Sequence, residues 1–221
     1  MQTLTASLAD RYRPATLDDV VAQDKIVANL RRIESTTGFG GRAFWLVGPS
    51  GAGKTTIGKI IASSVADDFA TWETVGRELT PGMLRELIAK TYRGRPLGGK
   101  GFAIIVNESH GLSRATIEVL LDAIDSGAIP SWVVWIFTTT NDGADRLFDD
   151  HIDAHPLLSR CLELPLARRG LAEAFAERAR TIAQAEGLDG KPIADYIRLA
   201  KDCRNNLRKM LGVLECGGML D

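Results

Sequence analysis

GPSGAGKT, residues 48–55, fits the pattern G-x-x-x-x-G-K-[ST]. Before it, Ala43–Val47 (AFWLV) is an apolar, aromatic run of the kind that forms a buried strand. After it, Ile57, Ile60, Ile61 and Val65 fall at i, i+3, i+4 and i+8, one face of a helix. Strand, glycine loop and helix are the context in which this spacing carries chemistry. Gly48, Gly51 and Gly53 let the backbone curl so that its N–H groups point inward. The helix N-terminus adds the positive end of its dipole. Pro49, Ser50, Ala52 and Thr56 complete the loop. Lys54 is placed to reach β- and γ-phosphates, and Thr55 to offer a hydroxyl to Mg²⁺.

Working outward, Thr71–Val75, Phe102–Val106 and Trp132–Thr138 read as further strands, with a short fifth at Cys161–Leu164. The third and fourth are continuously apolar, as strands covered on both faces are. Leu84, Leu87 and Ile88 repeat helical spacing after the second strand, and Ile117, Leu120, Leu121 and Ile124 do so after the third. Strand alternating with helix predicts an α/β, three-layer P-loop domain around a mostly parallel sheet. The pattern changes near Pro165. Beyond it come only helical stripes: Leu171, Phe175 and Ile182, then Ile193, Tyr196, Ile197 and Ala200, then Leu207, Met210, Leu211 and Leu214. The expected division is a nucleotide-binding domain over 1–165 and a small helical lid over 166–221, hinged near 165–170.

The bulk properties exclude several classes. A formal net charge of −1 means that any nucleic-acid surface must be local. Trp132–Phe137, the longest apolar run, is far too short to span a membrane. The first residues lack the apolar core of a signal peptide. Cys161, Cys203 and Cys216 are odd in number and lack metal spacing, so reduced thiols and a cytoplasmic protein are expected.

AIIVNESH, residues 103–110, holds the anomaly. In phosphate-loop enzymes an acid at the end of a later strand holds the Mg²⁺ shell, and in one branch a second acid activates the attacking water. Here Asn107 takes the metal position and Glu108 the water position. An amide oxygen still accepts from a metal-bound water but lacks the charge, which predicts weaker metal binding. Glu108 retains the general-base role, typically a 10²–10⁴-fold contribution.

Several stretches together resemble one family, the AAA+ ATPases of the clamp-loader group: the bacterial clamp-loader motor, replication factor C small subunits and their phage counterparts. RYRPATLDDVVAQ is similar to the family's adenine-side segment, which implies that Tyr12, Arg13, Pro14, Val20 and Val21 bind the base. Ala22 stands where the family often has glycine. FTTTN resembles the sensor-1 segment and implies Asn141, or its neighbour Thr140, near the γ-phosphate. HPLLSRC resembles the S-R-C box and makes Arg160 an arginine finger for the next subunit. NNLRKML resembles the sensor-2 segment, with Arg208 reaching back to the γ-phosphate. Taken singly, Arg160 reads more readily as a solvated surface arginine and Arg208 as a partner for Glu or Asp; only their order along the chain favours the roles. The resemblance covers Leu8 to about Leu214 and implies ATP, Mg²⁺ and other AAA+ subunits as ligands and partners, with DNA and a sliding clamp as further ones.

Two features depart from the family. The sequence to Asp221 holds no helical collar after the lid, which implies either a truncated chain or assembly through the ATPase interfaces alone, and no cysteine zinc module lies between the first two strands, so no zinc is expected. With Asn107, these weigh against processive clamp loading. For DNA, the residues implied are Arg93, Arg95 and Lys100 in TYRGRPLGGK, and Arg114; the same basic loop reads also as an ordinary solvated connection. Three readings stand: an ATPase working on DNA in a multi-subunit assembly, a nucleotide-binding adaptor with little hydrolysis, and an ATPase regulator of transposition or recombination.

Overall fold

The structure, a computed structural model, describes residues 6–125, 128–140, 155–167 and 169–220. Among these, five strands form one sheet: β1 Arg42–Val47, β2 Thr71–Val75, β3 Phe102–Asn107, β4 Val133–Thr139 and β5 Leu162–Pro165. Every neighbouring pair is parallel, in the order β2-β3-β4-β1-β5. After β1 the chain therefore crosses to the far edge, returns through β3 and β4, and passes to β5 on the other side. Such a reversal of strand order opens a crevice at the carboxyl ends of the strands, next to β1.

The helices are α1 Leu8–Arg11, α2 Asp24–Thr36, α3 Lys54–Val65, α4 Pro81–Tyr92, α5 Arg114–Ile124, α6 His155–Ser159, α7 Ala172–Ala185, α8 Ile193–Asp202 and α9 Leu207–Glu215. Local chemistry fixes their starts. Thr80 caps α4 by accepting from the Met83 N–H, with Pro81 in the first turn, where its missing donor costs nothing. Ser113 and Asn206 cap α5 and α9 in the same way.

The alternation of side chains along β1 makes the three layers. Phe44 and Leu46 join Ile57, Ile61, Ile105 and Ile136 on the α3 face. Trp45 joins Ile104, Trp135, Phe137, Leu84 and Leu120 on the other. β4 is buried along its whole length, as a central strand of a doubly covered sheet must be. A third cluster joins Phe175, Ala179, Tyr196, Met210 and Leu214 of α7–α9 to Leu8 from the N-terminus. There the Leu8 N–H donates to Glu215, and both Arg11 and Tyr12 hold the Glu186 carboxylate. The N-terminal segment thus packs with helices at the far end of the chain.

Several boundaries move from their expected places. β3 takes in Asn107, which pairs with Val75 across to β2. β4 runs Val133–Thr139 rather than Trp132–Thr138; Trp132 instead turns its indole N–H to the Thr91 carbonyl. β5 starts one residue later than the sequence pattern indicates.

Candidate nucleotide site

A cavity of about 480 Å³ lies between the carboxyl ends of the strands, the N-terminus of α3, the segment before α2 and the C-terminal helices. One end is apolar: Val20, Val21, Phe175, Leu207 and Leu211, with Tyr12, Arg13 and Pro14 beside them. The other is built by Ser50–Thr56, Asn107, Glu108 and Thr138–Thr140. An apolar slot joined to a nitrogen-lined loop suits a base at one end and phosphates at the other. Gly51 and Gly53 have φ of +80° and +101°, which an L side chain rarely adopts. Gly51 also lies against Asn206, where a Cβ would collide with the Asn206 amide. Gly48 is held by space instead: a Cβ there would lie 2.8 Å from that of Leu166.

Gly48 and Pro49 do not line the cavity and act through Lys54, whose Nζ donates to their carbonyls at 2.8 and 2.9 Å. Burial, with the charge of Arg208 as a smaller cause, pulls the Lys54 ammonium down to about 8. Arg208 is thus close enough to be felt at the phosphate loop, and it lines the same cavity. Beside the N-terminus of α3, Asn107 Oδ1 accepts from Thr55 Oγ1 at 3.2 Å and from Thr138 Oγ1 at 2.9 Å. Its Nδ2 donates to Glu73 Oε1 at 2.7 Å. This network sets the amide's orientation, with its oxygen towards Thr55. Glu108 follows with φ 49° and ψ 47° in the left-handed region, its carbonyl so close to Gly76 that a Cβ there would come within 2.7 Å. A non-glycine residue held in that region next to a phosphate loop is strain of the kind that gathers at working sites.

The family model described as "ATPase family associated with various cellular activities (AAA)" matches residues 44–162, from β1 to β5. The chain belongs to the AAA ATPase family. It is 30% identical to a AAA domain-containing protein of Mycobacterium tuberculosis, over 86% of this chain and 39% of that protein. It is 27% identical to a replication factor C small subunit of Methanoregula boonei, over 96% of this chain and 63% of that one. The fold superimposes on the Thermotoga maritima RuvB Holliday junction branch migration motor with a TM-score of 0.71 at 24% identity, covering 92% of this chain and 64% of that one. This AAA ATPase therefore spans less than two thirds of each. The resemblance to the clamp-loader group fits these relatives.

Elsewhere in this AAA ATPase the expected residues fall differently. Asn141 lies outside the described residues, while Thr140 lines the cavity. Arg160 is not part of its own chain's cavity. It pairs with Asp125 at 3.0 Å and donates to the Pro156 carbonyl at 2.9 Å, just ahead of the edge strand β5. The four DNA candidates do not form one patch. Arg93, Arg95 and Lys100 belong to the connection entering β3, with the Lys100 N–H on Asp67, whereas Arg114 opens α5 beyond the other end of β3 and pairs with Glu118 at 3.3 Å. β3 separates the two groups by about 17 Å at 3.3 Å per residue.

His110 turns Nδ1 to Thr139 Oγ1 at 3.1 Å, fastening β4 to the turn after Glu108. Burial, with Glu163 a lesser cause, pushes the Cys161 thiol up to about 12, which keeps it inert. The sequence reading missed several residues at or beside the site, among them Arg178, Gln23 and Glu73. Arg178 of α7 lines the cavity three residues after Phe175, on the same helical face. Gln23 is buried, with Nε2 3.5 Å from the Ala52 carbonyl and Oε1 accepting from the Ala167 N–H at 2.8 Å. It joins the phosphate loop to the chain just before the C-terminal helices. Glu73, from β2, lines the cavity as well.

Proposed function

We propose that this AAA ATPase binds and hydrolyses ATP with Mg²⁺ as one subunit of an assembly on DNA, in the manner of a clamp loader. The observation that carries this is one cavity lined by the phosphate loop, the Thr55–Asn107 pair, Glu108 and an arginine of the C-terminal helices. Thr55 and Asn107 present two oxygen donors at hydrogen-bond distance of each other, a set that fits the hard, oxygen-seeking Mg²⁺. When bound, the ion neutralises charge between the β- and γ-phosphates. Lys54, Arg208 and Arg178 surround the place where negative charge develops. Glu108 accepts the proton of the attacking water, and Asn141, or its neighbour Thr140, reports on the γ-phosphate.

Residues 166–221 act as the lid. Arg160, partly exposed and paired with Asp125 in its own chain, completes a neighbour's site, a contribution of about 10³–10⁵ in rate for arginine fingers in general. Arg114, at a helix start near the carboxyl ends of the strands, is the better placed of the DNA candidates, and a sliding clamp is a further partner. Among the described residues no helix is long and apolar enough to cross a membrane, and we place the protein in the cytoplasm.

Phosphate release with and without primed DNA tests this reading, alongside particle mass in a non-hydrolysable ATP analogue. Hydrolysis that DNA accelerates, in particles larger than one chain, is the expected result. ATP binding without phosphate release in any assembly refutes it and leaves the adaptor reading, which the amide at Asn107 favours.

A further inference from the structure

The metal end of the cavity lacks a carboxylate on β3 but has one a strand away. Glu73 faces Ile105 in the register of β2 against β3, two residues before Asn107, and so shares Asn107's face of the sheet. That face otherwise packs apolar side chains against α3. Glu73 Oε1 accepts from Asn107 Nδ2 at 2.7 Å, and its Oε2 pairs with Lys59 Nζ at 3.0 Å. Both Glu73 and Lys59 line the nucleotide cavity. The polar chain therefore runs from Lys59 through Glu73 and Asn107 to Thr55. An amide in its middle does what a carboxylate could not: its N–H holds Glu73, and its oxygen stays turned towards Thr55. An aspartate there would set two anions at hydrogen-bond distance with no proton between them.

We infer that Glu73 supplies the negative charge of the Mg²⁺ site that Asn107 lacks, so that the two residues divide between them the charge and the oxygen of one aspartate. This rests on the Mg²⁺–ATP site proposed above. Glu73 is a positioning and charge-supplying residue that acts through Asn107. Its charge acts on the ion through the Asn107 dipole and across a partly desolvated cavity, where it is less screened than in bulk water.

The experiment is a double-mutant cycle read out as metal affinity. Mg²⁺ is titrated into the full chain saturated with ADP and followed by calorimetry, with Mn²⁺ paramagnetic resonance as a second probe. Glu73→Gln keeps an acceptor for the Asn107 N–H and removes only charge; it should weaken metal binding about tenfold, a usual size for a group supporting a metal site. Asn107→Asp in that background returns a carboxylate to the site and should restore affinity to within about threefold of the parent, whereas Asn107→Asp alone should gain far less.

If the parent binds ADP but no metal, the Mg²⁺ reading fails and this one with it. If the parent binds metal and Glu73→Gln binds it equally well, the inference alone is overturned. Loss in Glu73→Gln that the second substitution does not restore also overturns it, since Glu73 would then matter only for shape.

Discussion

Lys54 is held among the carbonyls of Gly48 and Pro49 and beside Arg208, and its ammonium is pulled from an ordinary 10.5 to about 8. The sign follows from linkage. Between about pH 8 and 10.5 the unfolded chain holds a proton that the folded chain has lost, so this lysine's contribution to stability rises with pH across that window. A phosphate chain reverses the pull, because an adjacent anion favours the charged form. ATP binding should therefore draw a proton onto Lys54. At pH 8 about half of the lysine is neutral, so uptake should be about half a proton per ATP. Near pH 9.5 it should approach one, and affinity should fall about 30-fold from its value near pH 7, about 2 kcal/mol.

Calorimetry of ATP binding in two buffers of different ionisation enthalpy measures the uptake directly. Lys54→Met should abolish it. Arg208→Ala removes one of the two causes and should reduce it at pH 8, while burial keeps the remainder. Binding heats independent of buffer at pH 8, with affinity flat from about pH 7 to 9.5, would refute the placement of Lys54.

Three further outcomes are expected. Ala22 has φ 58°, and Ala22→Gly should stabilise the chain by about 0.5–1 kcal/mol in denaturant unfolding, the relief of about 1–2 kcal/mol of backbone strain less the freedom that glycine adds to the unfolded chain. Gln23→Leu leaves the Ala167 N–H unpaired and should cost about 1–3 kcal/mol by the same measurement; a cost near zero would mean that the bridge to the phosphate loop bears no strain. Hydrogen bonds from Arg11, then Tyr12, hold the Glu186 carboxyl below the usual range, so this tie is present above the ordinary carboxylate pKa and is lost as pH falls through the lowered value. The protection of the amides of residues 6–14, measured against their intrinsic exchange rate at each pH, should then fall in acid, and Glu186→Gln should lower it already at neutral pH.

What could be read in the sequence was what sequence spacing itself controls. The phosphate loop fixes its own geometry within eight residues, and continuous apolar runs announce strands buried on both faces, so β1, β3 and β4 lay within a residue of their expected ends. Arg208, singled out by the likeness of NNLRKML to a sensor-2 segment and by the order of segments, lines the cavity. Glu73 was legible only as a strand residue, because its importance depends on which strand lies beside β2 and in what register. Leu8 gave no sign of its place among helices about 200 residues away, since no periodicity records a contact at that separation. The helix α2 went unread inside the segment that resembles the adenine-side entry. The glycine usual at Ala22 was noticed as a departure, and the positive φ supplies its physical cost.

Among the described residues, β5 is a four-residue edge strand that touches the sheet only through β1. Arg160 stands two residues before it, and Leu166, packed on Gly48, follows it directly. It is thus a short axle with a cation at one end and the C-terminal helices at the other. If the C-terminal helices close as a lid and Arg160 serves a neighbouring copy, as proposed above, a tilt imposed at one end of this strand would be felt at the other, and the contents of one copy's pocket would bear on the reach it extends to the next.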